Sequence, residues 1–165
     1  MMRSRIWVLA PLLALAVATV LAQVLAAPGQ RALVLSIGDG DTLRVRRGGR
    51  TLTVRLACID APEHTQSPWG QQARLHLQQR LPIGREVTLD VKARDRYGRL
   101  VAEVISDGNI GLGMVADGQA FAYRRYLANC NARAYLDAED RASRRRRGVW
   151  QQEGGITRPW AYRRR

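Results

Sequence analysis

Leu43 and Val45 alternate with Arg44 and Arg46, a Gly48-Gly49 pair follows, and Leu52, Val54 and Leu56 then alternate with Thr51, Thr53 and Arg55. A period of two sends successive side chains to opposite faces of a strand, and paired glycines supply the backbone of a tight hairpin turn. Thr42 to Arg46 and Arg50 to Ile59 are therefore expected as two strands with one apolar face, and Arg55 falls on the other face. Similar signals flank them. Ala32 to Ile37 reads as a preceding strand that turns at Gly38-Asp39-Gly40-Asp41. Val87, Leu89 and Val91 alternate in a fourth strand, and Asp95-Arg96-Tyr97-Gly98 turns into a fifth, Arg99 to Ile105. Short strands that must each cover one face suggest a small sheet curled into a barrel.

Helical spacing appears between and after these strands. Ser67-Pro68 offers a cap and a first residue, Trp69, Ala73, Leu77 and Leu81 share a face, and Pro82 and Gly84 end the run. Ile110 to Ala116 reads as a short apolar helix closed by Gly118. Ala132 to Arg147 follows, with Ala134, Tyr135, Ala138 and Ala142 near one face and Gly148 as its expected C-cap. Arg144 to Arg147 serves either as a solvated helix end, where cations suit the dipole, or as a surface facing the substrate. Trp69, Trp150 and Trp160 read as packing anchors, and Arg163 to Arg165 are expected to fray.

Ahead of the strands, Arg3 and Arg5 precede an apolar run from Ile6 to Ala27 that closes on small residues. Residues 1–27 thus form either a secretory signal peptide cleaved near Ala26 or an uncleaved N-terminal membrane anchor. Both routes lead out of the cytoplasm, to a secreted or periplasmic protein or to one tethered at the inner membrane. With 27 Lys and Arg against 14 Asp and Glu, the formal charge is +13. Such an excess attracts nucleic acid, or an anionic membrane or cell surface. Cys58 and Cys130 are the two cysteines, too few for a zinc site. Export permits a disulfide between them, and two buried thiols are the alternative.

Four carboxylates, Asp39, Asp41, Asp60 and Glu63, lie at the ends of the first three strands. If the first and third strands are neighbours, Asp41 and Asp60 converge and, with a carbonyl and waters, suit a hard divalent cation; otherwise they are two ordinary turns. Phosphodiester hydrolysis needs a positioned water and positive charge aimed at the phosphoryl oxygens. Glu63 could orient that water, while Arg55 and Arg99 could grip the phosphate. His64 reads as an exposed loop histidine and His76 as a structural or solvent-facing one.

Asp39-Gly40-Asp41-Thr42, Arg55-Leu56 leading to Ile59-Asp60-Ala61-Pro62-Glu63, and Asp95-Arg96-Tyr97-Gly98-Arg99 together resemble the staphylococcal nuclease-like, or thermonuclease, family. The likeness continues through Gly118-Gln119-Ala120, Glu139, Gly148-Val149-Trp150 and Pro159-Trp160. It implies a nuclease domain over residues 31–161 with a basic tail, 162–165, and a mainly β fold: a five-stranded OB-type barrel plus three helices. It also implies a monomeric, calcium-dependent endonuclease that cuts DNA and RNA at the P–O5′ bond to leave 3′-phosphates. By the same resemblance Asp41, Asp60 and the carbonyl of Ala61 would hold Ca2+, with Asp39 supporting them. Glu63 would orient the water, Arg55 and Arg99 would bind phosphate, and Tyr123 or Tyr126 would line the nucleotide pocket. A non-catalytic nucleic-acid-binding or scaffold domain of the same fold is the alternative. Two departures from the best-known member bear on substrate grip: Ala61 stands for a threonine, and the loop His64-Thr65-Gln66 is short.

Overall fold

A computed structural model of the chain describes residues 30–164, so the expected signal or anchor over residues 1–27 lies outside the described residues. Among those described, no helix is long and apolar enough to cross a membrane.

The chain begins with β1 (Gln30–Ile37), β2 (Thr42–Arg47) and β3 (Arg50–Leu56), an antiparallel meander. After helix α1 (Trp69–Arg80) come β5 (Glu86–Arg94) and β6 (Leu100–Ile105). The five close into a barrel in the order β1-β2-β3-β6-β5. β5 pairs antiparallel with both β1 and β6, and β3 with β6 is a parallel pair. Closure leaves these strands no open edge. Val34, Leu43, Val45, Val54, Leu89, Ala102 and Val104 fill the interior and are fully buried, as the period of two requires. The OB-type barrel is thus present, with two additions.

The expected third strand breaks after Leu56. Cys58 adopts a positive φ of 65°, and the chain resumes as β4 (Ile59–Asp60), which pairs with β7 (Phe121–Ala122) outside the barrel. The second addition is a one-turn helix near the end. Helices α2 (Ile110–Ala116) and α3 (Ala132–Arg144) pack together, and Arg163, just after α4 (Pro159–Tyr162), reaches back to Asp60 of β4.

Several terminal details differ from expectation. Ser67 does not cap α1; Pro68 takes that place without a side-chain bond. Helix α3 ends at Arg144 rather than Arg147, with Arg146 at a positive φ. Gly148 is therefore not its cap and instead lies against the Gly118 carbonyl, where a Cβ would stand 2.1 Å from the oxygen. The three tryptophans do anchor packing: Trp150, Phe121, Val149 and Ile156 form a second apolar cluster against which Trp69 and Trp160 pack.

Candidate active site

The turn after β1 and the turn after β3 end side by side. Thr42 is the register partner of Arg55, and the Asp41 carbonyl accepts from Leu56 N at 2.8 Å. Asp39 caps the first turn by accepting from Asp41 N at 3.0 Å. Asp41 Oδ2 in turn accepts from the backbone N of Ala61 at 2.9 Å. The sequence interval between Asp41 and Asp60 is thereby folded back on itself, and both carboxylates are buried.

Close packing fixes the arrangement from behind. A Cβ on Gly40 would stand 2.7 Å from the Cβ atoms of both Ala61 and Ala73, and one on Gly70 would stand 2.1 Å from the Glu63 carbonyl oxygen. Glycine at these two places lets α1 press directly against the carboxylate-bearing loops. Ala61, small and buried, belongs to the same contact.

One guanidinium joins the two aspartates. Arg55 Nη1 donates to Asp41 Oδ1 at 2.7 Å, and its Nη2 donates to Asp60 Oδ1. Burial raises the pKa of Asp41 above the ordinary carboxylate value, although Arg55 and the Ala61 amide pull the other way. Burial likewise raises Asp60, against the hydrogen bond from Arg163. Burial works against the charged form of Arg55, yet Asp41 and Asp60 outweigh it and raise its pKa. Two buried carboxylates side by side present hard oxygen atoms of the kind a divalent cation such as calcium takes, and here Arg55 and Arg163 bond to them. Among the described residues no three His, Cys, Asp or Glu side chains gather as a metal cluster. A cation here would therefore take its other ligands from backbone carbonyls and water.

Arg163 joins this site, although the sequence places it in an end expected to fray. It follows α4, and rather than fraying it grips Asp60 bidentately, Nη2 to Oδ2 at 2.7 Å and Nη1 to Oδ1 at 3.3 Å. Nη1 also donates to Glu63 Oε1. These bonds raise its pKa despite its partial burial. The run Pro159 to Arg164 resembles the tail of bacterial relatives, but no local pattern distinguishes Arg163 from Arg164, and its partners lie about a hundred positions away. Gln66 joins the site as well. Its buried side chain accepts from Glu63 N at 2.9 Å and donates to the Thr157 carbonyl at 2.8 Å, tying the short loop to the C-terminal segment.

The structure thus brings Asp39, Asp41, Arg55, Asp60, Ala61 and Glu63 into one bonded group. Arg99 is not joined to it: its Nε donates to Asp95 Oδ2 at 2.7 Å. It immediately precedes β6, whose first residue, Leu100, is the register partner of Val54 on the strand that carries Arg55. Tyr123 stacks on Trp160, whereas Tyr126 is 45% exposed. Cys58 and Cys130 form a disulfide, S–S 2.03 Å, which ties the turn before Asp60 to the segment after Tyr126. His64 is exposed, and His76 bonds Asp117 away from the site.

Comparison with known proteins gives a consistent picture. The model of a family described as staphylococcal nuclease homologue matches residues 53–152. A micrococcal nuclease of Shigella flexneri is 39% identical over 144 residues, spanning 81% of this chain and 80% of that protein. An uncharacterized endonuclease of Haemophilus influenzae is 40% identical over 119 residues, 71% of this chain and 64% of its own. Another from Escherichia coli is 33% identical over 135 residues, covering 80% and 84%.

Proposed function

The chain belongs to the family of staphylococcal nuclease homologues, and from that premise we propose that it is a calcium-dependent endonuclease hydrolysing phosphodiester bonds in DNA and RNA. The observation that carries the reading is the burial of Asp41 and Asp60 under one guanidinium, with Glu63 at the same edge. The relatives named as nucleases and endonucleases support the substrate class.

Asp41 and Asp60, with the Ala61 carbonyl, would hold the calcium, and Asp39 fixes Asp41 through its backbone. Bound there, calcium would supply positive charge to a phosphoryl oxygen. Glu63 orients a water and accepts its proton as the water oxygen bonds to phosphorus. The P–O5′ bond breaks, O5′ leaves with the bonding pair and takes a proton from solvent, and the phosphate remains on the 3′ side. Arg55 spends two of its N–H groups on the aspartates and has others to offer the phosphate, and Arg99, just before β6, would leave Asp95 to supply the second phosphate contact. Tyr126 offers an exposed ring for a base. Export to the periplasm or medium suits the Cys58–Cys130 bridge.

The test is digestion of single-stranded DNA by metal-stripped protein with and without added calcium, followed by end-group analysis. Cleavage restored by calcium with 3′-phosphate ends is expected, and Glu63→Gln should slow it by about 100-fold or more. Tight binding with no cutting under any divalent metal would leave a nucleic-acid-binding or scaffold domain as the better account.

A further inference from the structure

We propose that Arg163 is a positioning residue of the hydrolytic centre, acting through Glu63 and Asp60, so that α4 is a working part of the site. The inference rests on the nuclease reading above. Its ground is geometric: one planar guanidinium reaches both carboxylates, Asp60 through two N–H groups and Glu63 through one. A planar fork fixes the relative placement of two acceptors in a way a single contact cannot. Ala61-Pro62 separates the two carboxylates in sequence, and Glu63 is half-buried on a short loop. The reach of Glu63 toward a water is therefore set by what holds its carboxylate.

The holder is itself held. Arg163 N donates to the Pro159 carbonyl at 3.0 Å, closing the turn of α4. Trp160 stacks on Tyr123 with centroids 4.9 Å apart and planes 3° from parallel. Tyr162 Oη lies 3.4 Å from the Thr65 carbonyl, and Gln66 reaches Thr157 from the same loop. The segment that carries Glu63 and the segment that carries Arg163 are thus braced against each other on both sides of the ion pair.

The contact has a second effect of definite sign. Asp60 already faces Arg55, and Arg163 places another positive charge against it. A cation arriving at Asp60 is repelled by that charge, so removing it strengthens cation binding while it weakens the placement of Glu63. Tighter calcium binding together with slower turnover separates this role from simple structural support, whose loss weakens both.

The experiment compares the full protein with Arg163→Ala, Arg163→Lys and, as a control, Arg164→Ala. Calcium affinity is measured by calorimetry without substrate, α4 docking by tryptophan emission, and steady-state cleavage on a single-stranded oligonucleotide. Arg163→Ala should bind calcium about three- to tenfold more tightly, lose at least about tenfold in kcat with KM little changed, and keep wild-type emission. Arg163→Lys should restore the calcium affinity and regain part of kcat, since an ammonium carries the charge without the fork. Arg164→Ala should match wild type. Unchanged or weaker calcium binding in Arg163→Ala, or an unchanged kcat, would overturn the proposal. So would loss of the wild-type emission alongside weaker calcium binding, which would mark Arg163 as a structural clamp. A wild-type protein that cuts nothing would overturn the nuclease reading itself, a different result from variants that fail to differ from a cutting wild type.

Discussion

Trp160 lies flat on Tyr123, the two ring planes 3° from parallel. One face of Tyr123 is therefore given to the protein, with Tyr126 meeting it edge-on at 4.9 Å. The stack makes the last helix dependent on the segment after β7. Trp160→Ala should destabilise the fold by about 2–4 kcal/mol, a little under the range for a fully buried aromatic. Denaturant unfolding checks this, and a midpoint equal to wild type would show that α4 does not rely on the stack.

On the calcium site proposed at Asp41 and Asp60, bound calcium is a stabilising ligand. At a calcium concentration of 100 times Kd, wild-type stability should rise by about 2.7 kcal/mol. Asp41→Asn should abolish that increment, because it removes one of the two anionic ligands. Thermal melts with and without calcium measure the difference, and an equal upward shift in the variant would exclude Asp41 as a ligand.

Gly70 leaves no room behind Glu63. The Cβ of Gly70→Ala would stand 2.1 Å from the Glu63 carbonyl oxygen, so α1 or the loop must shift, at about 1–3 kcal/mol. Cleavage should fall along with stability, since Glu63 moves. Gln71→Ala, at an exposed position one residue on, is the control that should change neither.

The Cys58–Cys130 bridge closes a loop across 72 positions. On the loop-entropy account it contributes about 4 kcal/mol. Replacing both cysteines with serine should lower the unfolding free energy by about that amount, and added reductant should then have no further effect. A variant as stable as the wild type would show that the packing around Asp60 does not need the tie.

Asp117 gives stability a specific acid limb. Burial opposes its ionisation, but hydrogen bonds from Arg80 and His76 outweigh burial and hold its pKa below the ordinary value. The folded state thus binds this proton less readily than the unfolded state, so the contribution is complete above about pH 4 and is lost as pH falls through the folded pKa. Wild type and Asp117→Asn should differ at pH 6 and converge toward pH 2.5 in urea unfolding. Parallel curves across that range would refute the assignment.

The barrel was legible because alternation at Leu43, Val45, Val54 and Leu89 reports directly which face is buried. The convergence of Asp41 with Asp60 came by a route other than the expected one: β1 and β3 are not paired, and it is β2, beginning at Thr42 beside Arg55 of β3, that brings the two turns together. What the sequence hid has a common cause. Cys58 breaks its strand through a positive φ at a residue that is not glycine, against its own preference. Gln66 looks like any polar loop residue until its partner at Thr157 is in place. Arg163 looks like the first of three terminal arginines. Each owes its role to a partner far along the chain, and periodicity reports only local neighbours.

The bond between Arg163 and Asp60 spans 103 positions, which bears on the order in which the molecule is completed. Contacts of long sequence separation form late, because a large loop must close before they gain anything. The meander of β1 to β3 can assemble from adjacent residues, whereas the ion pair on Asp60 waits for nearly the whole described chain. A molecule with its barrel formed but α4 still undocked has Asp41, Asp60 and Arg55 in place and Glu63 untethered. On the role proposed for Arg163, folding of the barrel and competence to cut are separate events in time, the second following the first.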